Sequence, residues 1–233
     1  MRDDRPSSIL LLLLVVGLLQ LSGCTTGPPT TGQPTRAPVP GEVALPAPRL
    51  IGDTTLEEAI ASRRSVREFS NDVLSWQDLS QLLWAAQGIT DARGLRAAPS
   101  AGALYPLEVY VALPEGTYRY VPARHTAEPL SEGDLREELW QAGLRQDALR
   151  EAPSIFVIAA VYERTEAKYG ERAERYVKLE AGHAAQNLLL QAVALELGAV
   201  PIGAFYDDRV QAALSLPPDH QPLYLIPVGH PRQ

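Results

Sequence analysis

Arg96-Ala97-Ala98-Pro99-Ser100-Ala101-Gly102-Ala103-Leu104-Tyr105-Pro106 sets small residues between two prolines and runs straight into an apolar stretch. Glycine and alanine leave main-chain amides uncovered, proline stiffens both ends, and a following strand holds such a loop against a sheet. That combination suits the close approach of a planar or anionic ligand. The same residues also make a plain tight connection between a helix and a strand, so the reading needs support from elsewhere in the chain.

Three further segments supply it. Residues 62–69 read Ser-Arg-Arg-Ser-Val-Arg-Glu-Phe, just past a short helix opened by Thr54 and Thr55, with Glu57 and Glu58 three residues on as capping-box partners. Arg63, Arg64 and Arg67 offer planar forks of donors that fit phosphate or a ring carbonyl, and Ser65 adds a hydroxyl. Taken singly, each arginine reads equally well as a solvated cation at a helix C-terminus. Residues 200–205 follow Gly198, which is expected to end a long helix, and place Gly203 where a side chain would block an approaching ring. Residues 225–232 form a strand that runs into a basic turn, a pattern that also fits an ordinary edge strand.

In this order the four segments resemble the FMN-dependent nitroreductase superfamily, and residues 99–106 look most like its SagB/ThcOx-type dehydrogenase branch, which oxidises azolines in modified peptides. The resemblance covers residues 56–231 and rests on the ordered set, since no single motif is specific. It implies an α+β, nitroreductase-like fold with a central, mostly antiparallel β-sheet flanked by helices, in a homodimer that binds each FMN between subunits. Carried over by position, it implies that Arg63, Arg64, Ser65 and Arg67 bind the FMN phosphate and ribityl chain and face one edge of the isoalloxazine. Pro99, Ser100, Ala101 and Gly102 then run along the flavin. Pro201, Ile202, Gly203 and Ala204 lie against the ring, where a backbone N–H meets flavin N5. Gly229 and Arg232 match the family's C-terminal end. Many members continue into a basic segment that grips the phosphate, so Arg232 or a partner subunit is expected to take that part. Where many members carry a polar residue in the middle loop, Ala101, Gly102 and Ala103 leave the ring to backbone contacts.

Composition sets outer limits: 233 residues, 45% hydrophobic content and a net charge of -7 allow one good core and argue against a nucleic-acid partner. At the N-terminus Arg2 and Arg5 precede an apolar run over residues 9–19, which ends in Leu21-Ser22-Gly23-Cys24. This resembles a bacterial lipoprotein signal, and the run is too short to span a bilayer comfortably. The expected organisation is a signal peptide over residues 1–23, a Pro/Gly/Thr-rich tether over 24–49 and an FMN-binding domain over 50–233. Cys24, the single cysteine, is the expected lipid acceptor, which places the protein in the cell envelope outside the cytoplasm.

Past the tether, Ser75 and Asp78 open a helix that Gly88 closes. Residues 107–113 and 118–121 read as a hairpin, residues 131–149 as one amphipathic helix, and 154–162 as a strand covered on both faces. A long helix is expected over residues 164–197, with breaks at residues such as Gly170 and Gly182. His183 on that helix, like His125, His220 and His230, reads first as structural, and no histidine or carboxylate pair has metal-ligand spacing.

The expected chemistry is hydride transfer between flavin N5 and a small organic, azoline-like or peptide-derived substrate, with no side-chain nucleophile. An exported protein meets little NAD(P)H, which favours substrate oxidation over an NAD(P)H-dependent nitro or quinone reductase. A flavin-binding envelope lipoprotein without turnover is the reading from another class. Bleaching of flavin absorbance by NAD(P)H separates the first two, and turnover of any substrate excludes the third.

Overall fold

The structure, a computed structural model, describes residues 41–232. Seven strands form one sheet: β1 (Val43–Ala44), β2 (Leu107–Leu113), β3 (Gly116–Val121), β4 (Thr126–Glu132), β5 (Ser154–Ala160), β6 (Gly198–Ala199) and β7 (Gln221–Gly229). Their spatial order is β1-β4-β3-β2-β5-β7-β6, and every strand pairing is antiparallel. The helices are α1 (Leu56–Ser62), α2 (Trp76–Gln87), α3 (Arg136–Ala142), α4 (Asp147–Glu151), α5 (Glu163–Tyr169), α6 (Ala173–Ala194) and α7 (Asp207–Ala213).

Helices cover both faces of this sheet, so its central strands carry apolar residues on both sides. Along β2, Val109 and Val111 point into the core that holds α2 and α6, while Tyr110 and Ala112 point into the one that holds α3, α4 and α7. The period-two alternation of side chains feeds both layers from one strand. In β5 all seven residues are buried, as the unbroken apolar run requires.

Local signals place several elements as expected. Thr55 caps α1 and Ser75 caps α2, each in a complete capping box, with Glu58 and Asp78 returning the bond to the cap backbone. The expected hairpin is β2 and β3, tightened at Gly116, where a Cβ would stand 2.6 Å from the Ser131 carbonyl oxygen.

Other boundaries differ. The helix expected over residues 131–149 is β4 followed by α3 and α4. Gly133 turns left-handed at φ 86° after the strand, and Leu144 and Arg145 (φ 59° and 55°) break the helical run again. The long helix is divided at Gly170 (φ 54°) into α5 and α6, whereas Gly182 lies inside α6 without interrupting it. That helix ends at Ala194, and Glu196 rather than Gly198 takes the left-handed turn (φ 59°). β7 lies inside the sheet between β5 and β6, not at its edge.

Part of the expected tether is folded. Val43 and Ala44 pair with β4, Leu45 is buried, and the Pro46 carbonyl accepts from the Ser80 hydroxyl at 2.5 Å and meets His125 Nε2 at 2.9 Å. Three consecutive anchors supply what the Pro-rich composition lacks locally. The expected signal peptide and Cys24 lie outside the described residues, among which no helix is long and apolar enough to cross a membrane.

Candidate functional site

Residues 65–70 run between the short strand β6 and the far end of β7. Val66 donates to the Ala199 carbonyl at 3.1 Å, Ser70 to His230 at 2.9 Å, and Arg232 returns a bond to the Glu68 carbonyl at 3.1 Å. Two glycines let these backbones close up. A Cβ on Gly198 would stand 2.6 Å from Val66 Cγ1, and one on Gly229 2.5 Å from Pro153 Cδ. Both are packing glycines, and Gly229 is buried beneath Pro153 and Phe69.

Beyond β6 the chain leaves the sheet. Ile202 exchanges two hydrogen bonds with Leu225, at 2.8 and 3.0 Å, and fixes the segment from below. Gly203 and Ala204 follow, exposed, and their N–H groups meet no protein acceptor among the described residues. Gln146 holds the segment from the other side, donating from Nε2 to the carbonyls of Gly143 and Ala204, both at 2.9 Å.

The result is a cavity of about 760 Å3 whose lining includes Pro201, Ile202, Gly203 and Ala204, the cations Arg67 and Arg232, Gln146, and the carboxylates Glu68, Asp147 and Glu151. Arg232 is braced by the Phe69 carbonyl and by Glu151, each at 3.0 Å. Among the described residues the Arg67 side chain bonds only the Ser65 carbonyl, at 3.3 Å, which leaves most of its donors unused at the cavity wall. Arg63, Arg64 and Ser65 do not line it. The Arg64 guanidinium turns back onto the carbonyls of Ala61 and Arg63, the role of a cation at the end of α1.

The loop over residues 99–105 lies elsewhere in the chain and does not line this cavity. Ala101–Ala103 make one tight helical turn, with Gly102, Ala103 and Tyr105 left-handed at φ 64°, 55° and 48°. A Cβ on Gly102 would meet the Tyr169 hydroxyl at 2.8 Å and Lys168 Nζ at 2.9 Å, so only glycine lets these two polar groups sit over the loop. Tyr105 donates its N–H to Ser100 Oγ at 2.9 Å, and its own hydroxyl accepts from Arg96 N–H at 3.1 Å. Arg96 stacks on the Tyr105 ring, 4.5 Å from the centroid, and donates to Gln87 Oε1 at 2.8 Å.

Beneath this loop α6 buries Glu180, which is 2% exposed. Burial pushes its carboxyl up to about 7, opposed by a hydrogen bond with Ser100 and by the charge of Arg96. Its Oε1 has no hydrogen-bond partner among the described residues.

Glu180, Lys168, Tyr169 and Gln146 were not singled out from the sequence. Only Glu180 left a readable sign, a carboxylate among Val177, Ala181 and Ala184 on the buried stripe of α6. Of the histidines, His183 is exposed, His125 is held by Tyr120 and Ser80, and His220 pairs with the buried Tyr110 hydroxyl.

This geometry belongs to a known class. The chain matches the nitroreductase family over residues 60–230 and belongs to that family. It is 44% identical over 194 residues to a provisionally assigned nitroreductase of Methanocaldococcus jannaschii, covering 81% of this chain and 96% of that one. A structure of a provisionally assigned nitroreductase from Ralstonia eutropha superposes with a TM-score of 0.75 at 32% identity, covering 82% of this chain and 90% of the other. The Escherichia coli microcin synthetase McbBCD complex, with truncated pro-MccB17 bound, contains a chain of the same fold. That match has a TM-score of 0.67 at 23% identity and covers 74% of this chain and 70% of that one. The protein is therefore an oxidoreductase of the nitroreductase family, whose members are generally flavin-dependent and dimeric.

Proposed function

We propose that the chain is an FMN-dependent oxidoreductase that transfers a hydride between flavin N5 and a small organic, azoline-like or peptide-derived substrate. The observation that carries this reading is the convergence of Arg67, Arg232 and the free N–H groups of Gly203 and Ala204 on one cavity in a nitroreductase fold. The cavity falls within the roughly 300–1,000 Å3 of small-molecule sites. Its donors suit FMN: arginine forks take a phosphate, and unpaired amides beside an open glycine take ring nitrogens and oxygens. FMN would supply the two-electron chemistry when bound.

Arg67 and Arg232 hold and neutralise the anionic part of the cofactor. Pro201 and Ile202 give the ring an apolar floor, and Gly203 and Ala204 offer it N–H donors. Arg63, Arg64 and Ser65 complete the phosphate arm once a ligand draws Arg64 off the Ala61 and Arg63 carbonyls.

Pro99, Ser100, Ala101 and Gly102 reach a flavin from a second copy of the chain, since their own copy keeps them out of its cavity. Leu50, Ile51, Leu56 and Ile60, all more than half exposed, lie close in sequence to Thr54, Thr55 and Ala59 of a largely apolar groove. A homodimer would bury such a surface. At the cavity so completed, Lys168 Nζ and the Tyr169 hydroxyl are the groups that would exchange a proton with substrate. Cys24 carries a lipid anchor that holds the domain at the cell envelope.

The nitroreductase assignment of the Methanocaldococcus relative favours a second reading, an NAD(P)H-dependent nitro or quinone reductase. One experiment separates the two: the purified chain is loaded with FMN and mixed with NADPH without oxygen. Retained yellow colour that NADPH cannot bleach supports the substrate oxidase. Fast bleaching supports the reductase, and failure to retain flavin refutes both.

A further inference from the structure

We propose that a second cavity, adjoining the first, receives an adenylate, so that the site accepts FAD, with its AMP half in the second cavity, more tightly than FMN. The inference rests on the proposed function and deepens it by naming the form of the flavin.

The second cavity has a volume of about 420 Å3, within the range of small-molecule sites. It shares two residues with the first, Arg232 and Glu151, whose side chains meet at 3.0 Å. The two cavities thus adjoin at a single ion pair. Its position is fixed, because Arg232 donates its N–H to the Glu68 carbonyl at 3.1 Å and Glu151 is the last residue of α4. Both side-chain bonds of Arg232, to the Phe69 carbonyl and to Glu151, leave from Nη2, while Nε and Nη1 bond no described residue. Arg232 therefore has donors for the FMN phosphate in the first cavity and for a second phosphate beyond it.

The rest of the lining has a group for each part of an adenylate. Arg150 lines the second cavity only, and its one ion pair, to Asp147 at 3.3 Å, joins side chains 55% and 75% exposed. Such a surface pair is worth little, so the Arg150 fork is available to a phosphate. Glu151 repels phosphate but suits a ribose, whose hydroxyls donate to a carboxylate. Asn71 is exposed, and its carboxamide bonds no described residue. A carboxamide offers the acceptor and donor that match adenine N6 and N7. The exposed Val73, with Pro114 and Pro153, gives a flat base apolar walls. Arg136 also lines the cavity but is already engaged, gripping Asp134 at 2.8 and 2.6 Å and the Ala152 carbonyl at 2.9 Å. An inorganic phosphate would use the arginines alone and meet repulsion from Glu151, whereas a nucleotide also uses the carboxylate and the carboxamide.

Calorimetric titration of the full chain, prepared without flavin, with FMN and with FAD tests this. FAD is expected to bind about tenfold more tightly than FMN, one charge-assisted bond's worth. Arg150→Gln and Asn71→Ala change residues that lie outside the first cavity. Each should remove most of the advantage of FAD and leave the affinity for FMN unchanged. FAD bound no more tightly than FMN, or an affinity for FAD indifferent to both substitutions, overturns the proposal. Binding of neither flavin refutes the functional reading and the inference with it, whereas FMN binding without the gain for FAD overturns the inference alone.

Discussion

Gly198 joins packing to the site, and replacing it by alanine has a calculable effect. The added Cβ would stand 2.6, 2.7 and 3.0 Å from Val66 Cγ1, Cβ and Cγ2. The glycine's φ is not positive, so the backbone accepts alanine and the whole cost is the clash. Val66 cannot swing away, because a β-branched side chain is stiff at χ1 and all three of its carbons are in the way. Relief requires residues 65–67 to move, which loosens the 3.1 Å bond from Val66 N–H to Ala199. Overpacking by one methyl costs about 1–3 kcal/mol, and the lost freedom of Val66 puts this site in the upper half of that range. For a domain of this size, 2 kcal/mol corresponds to a fall in Tm of about 4–8 °C. Urea and thermal unfolding of Gly198→Ala, Val66→Ala and the double variant measure it. The double variant should be more stable than the sum of the two singles by more than about 1 kcal/mol, since each change removes the other's conflict. Strict additivity, or a Gly198→Ala chain as stable as the parent, would refute the reasoning. Because Arg67 rides on the displaced segment, the single variant should also retain FMN less well.

Glu180 predicts a pH dependence of global stability. Its folded value of about 7 lies above the ordinary 4.5, so its contribution is fully present below about pH 4.5 and is lost as pH rises through 7. The loss is at most about 3 kcal/mol. Urea midpoints at pH 5 and pH 8 should therefore converge in Glu180→Gln, and an equal drop in both chains would contradict the assignment. Replacing Arg67 and Arg232 by alanine should raise the Kd for FMN about tenfold for each arginine, the low end for charge-assisted bonds, because both side chains are exposed. Fluorescence titration of FMN gives the number, and an unchanged Kd removes these residues from the site.

What could be read from sequence was what local chemistry decides. Thr55 with Glu58 and Ser75 with Asp78 start helices by bonds three residues apart, and the continuous apolar run of β5 needs only two covered faces. What could not be read was what distant neighbours decide. Val43 and Ala44 join the sheet because β4 offers an edge and Pro46 meets Ser80 and His125, none of which is near in sequence. Gly198 looked like a helix end, since a glycine that yields to a neighbour's side chain is indistinguishable in sequence from one that takes a left-handed turn. The arginine cluster shows the same limit: spacing assembles Arg63, Arg64 and Arg67, but only the structure shows Arg64 turned onto the carbonyls of Ala61 and Arg63.

The cavity's place follows from how the sheet ends. An edge strand exposes unpaired N–H and C=O groups, and proteins cover or shorten such edges. Here β6 is only two residues long, and residues 65 and 66 cover it through a parallel bridge between Ser65 and Ala199. The cover stops there. Past Ile202 no described residue accepts from the next two N–H groups, so those of Gly203 and Ala204 stand open beside Arg67 and Arg232. The donors are thus partly main chain, offered by a half-covered sheet edge. Main-chain donors keep their direction whatever side chain they carry, provided the register of β6 on β7 holds. That register is set by Gly198 opposite Gly229 and by the paired bonds of Ile202 and Leu225. Under the proposed function, recognition at this site would depend on residues outside the cavity lining, and binding and packing would be tied through the same short strand.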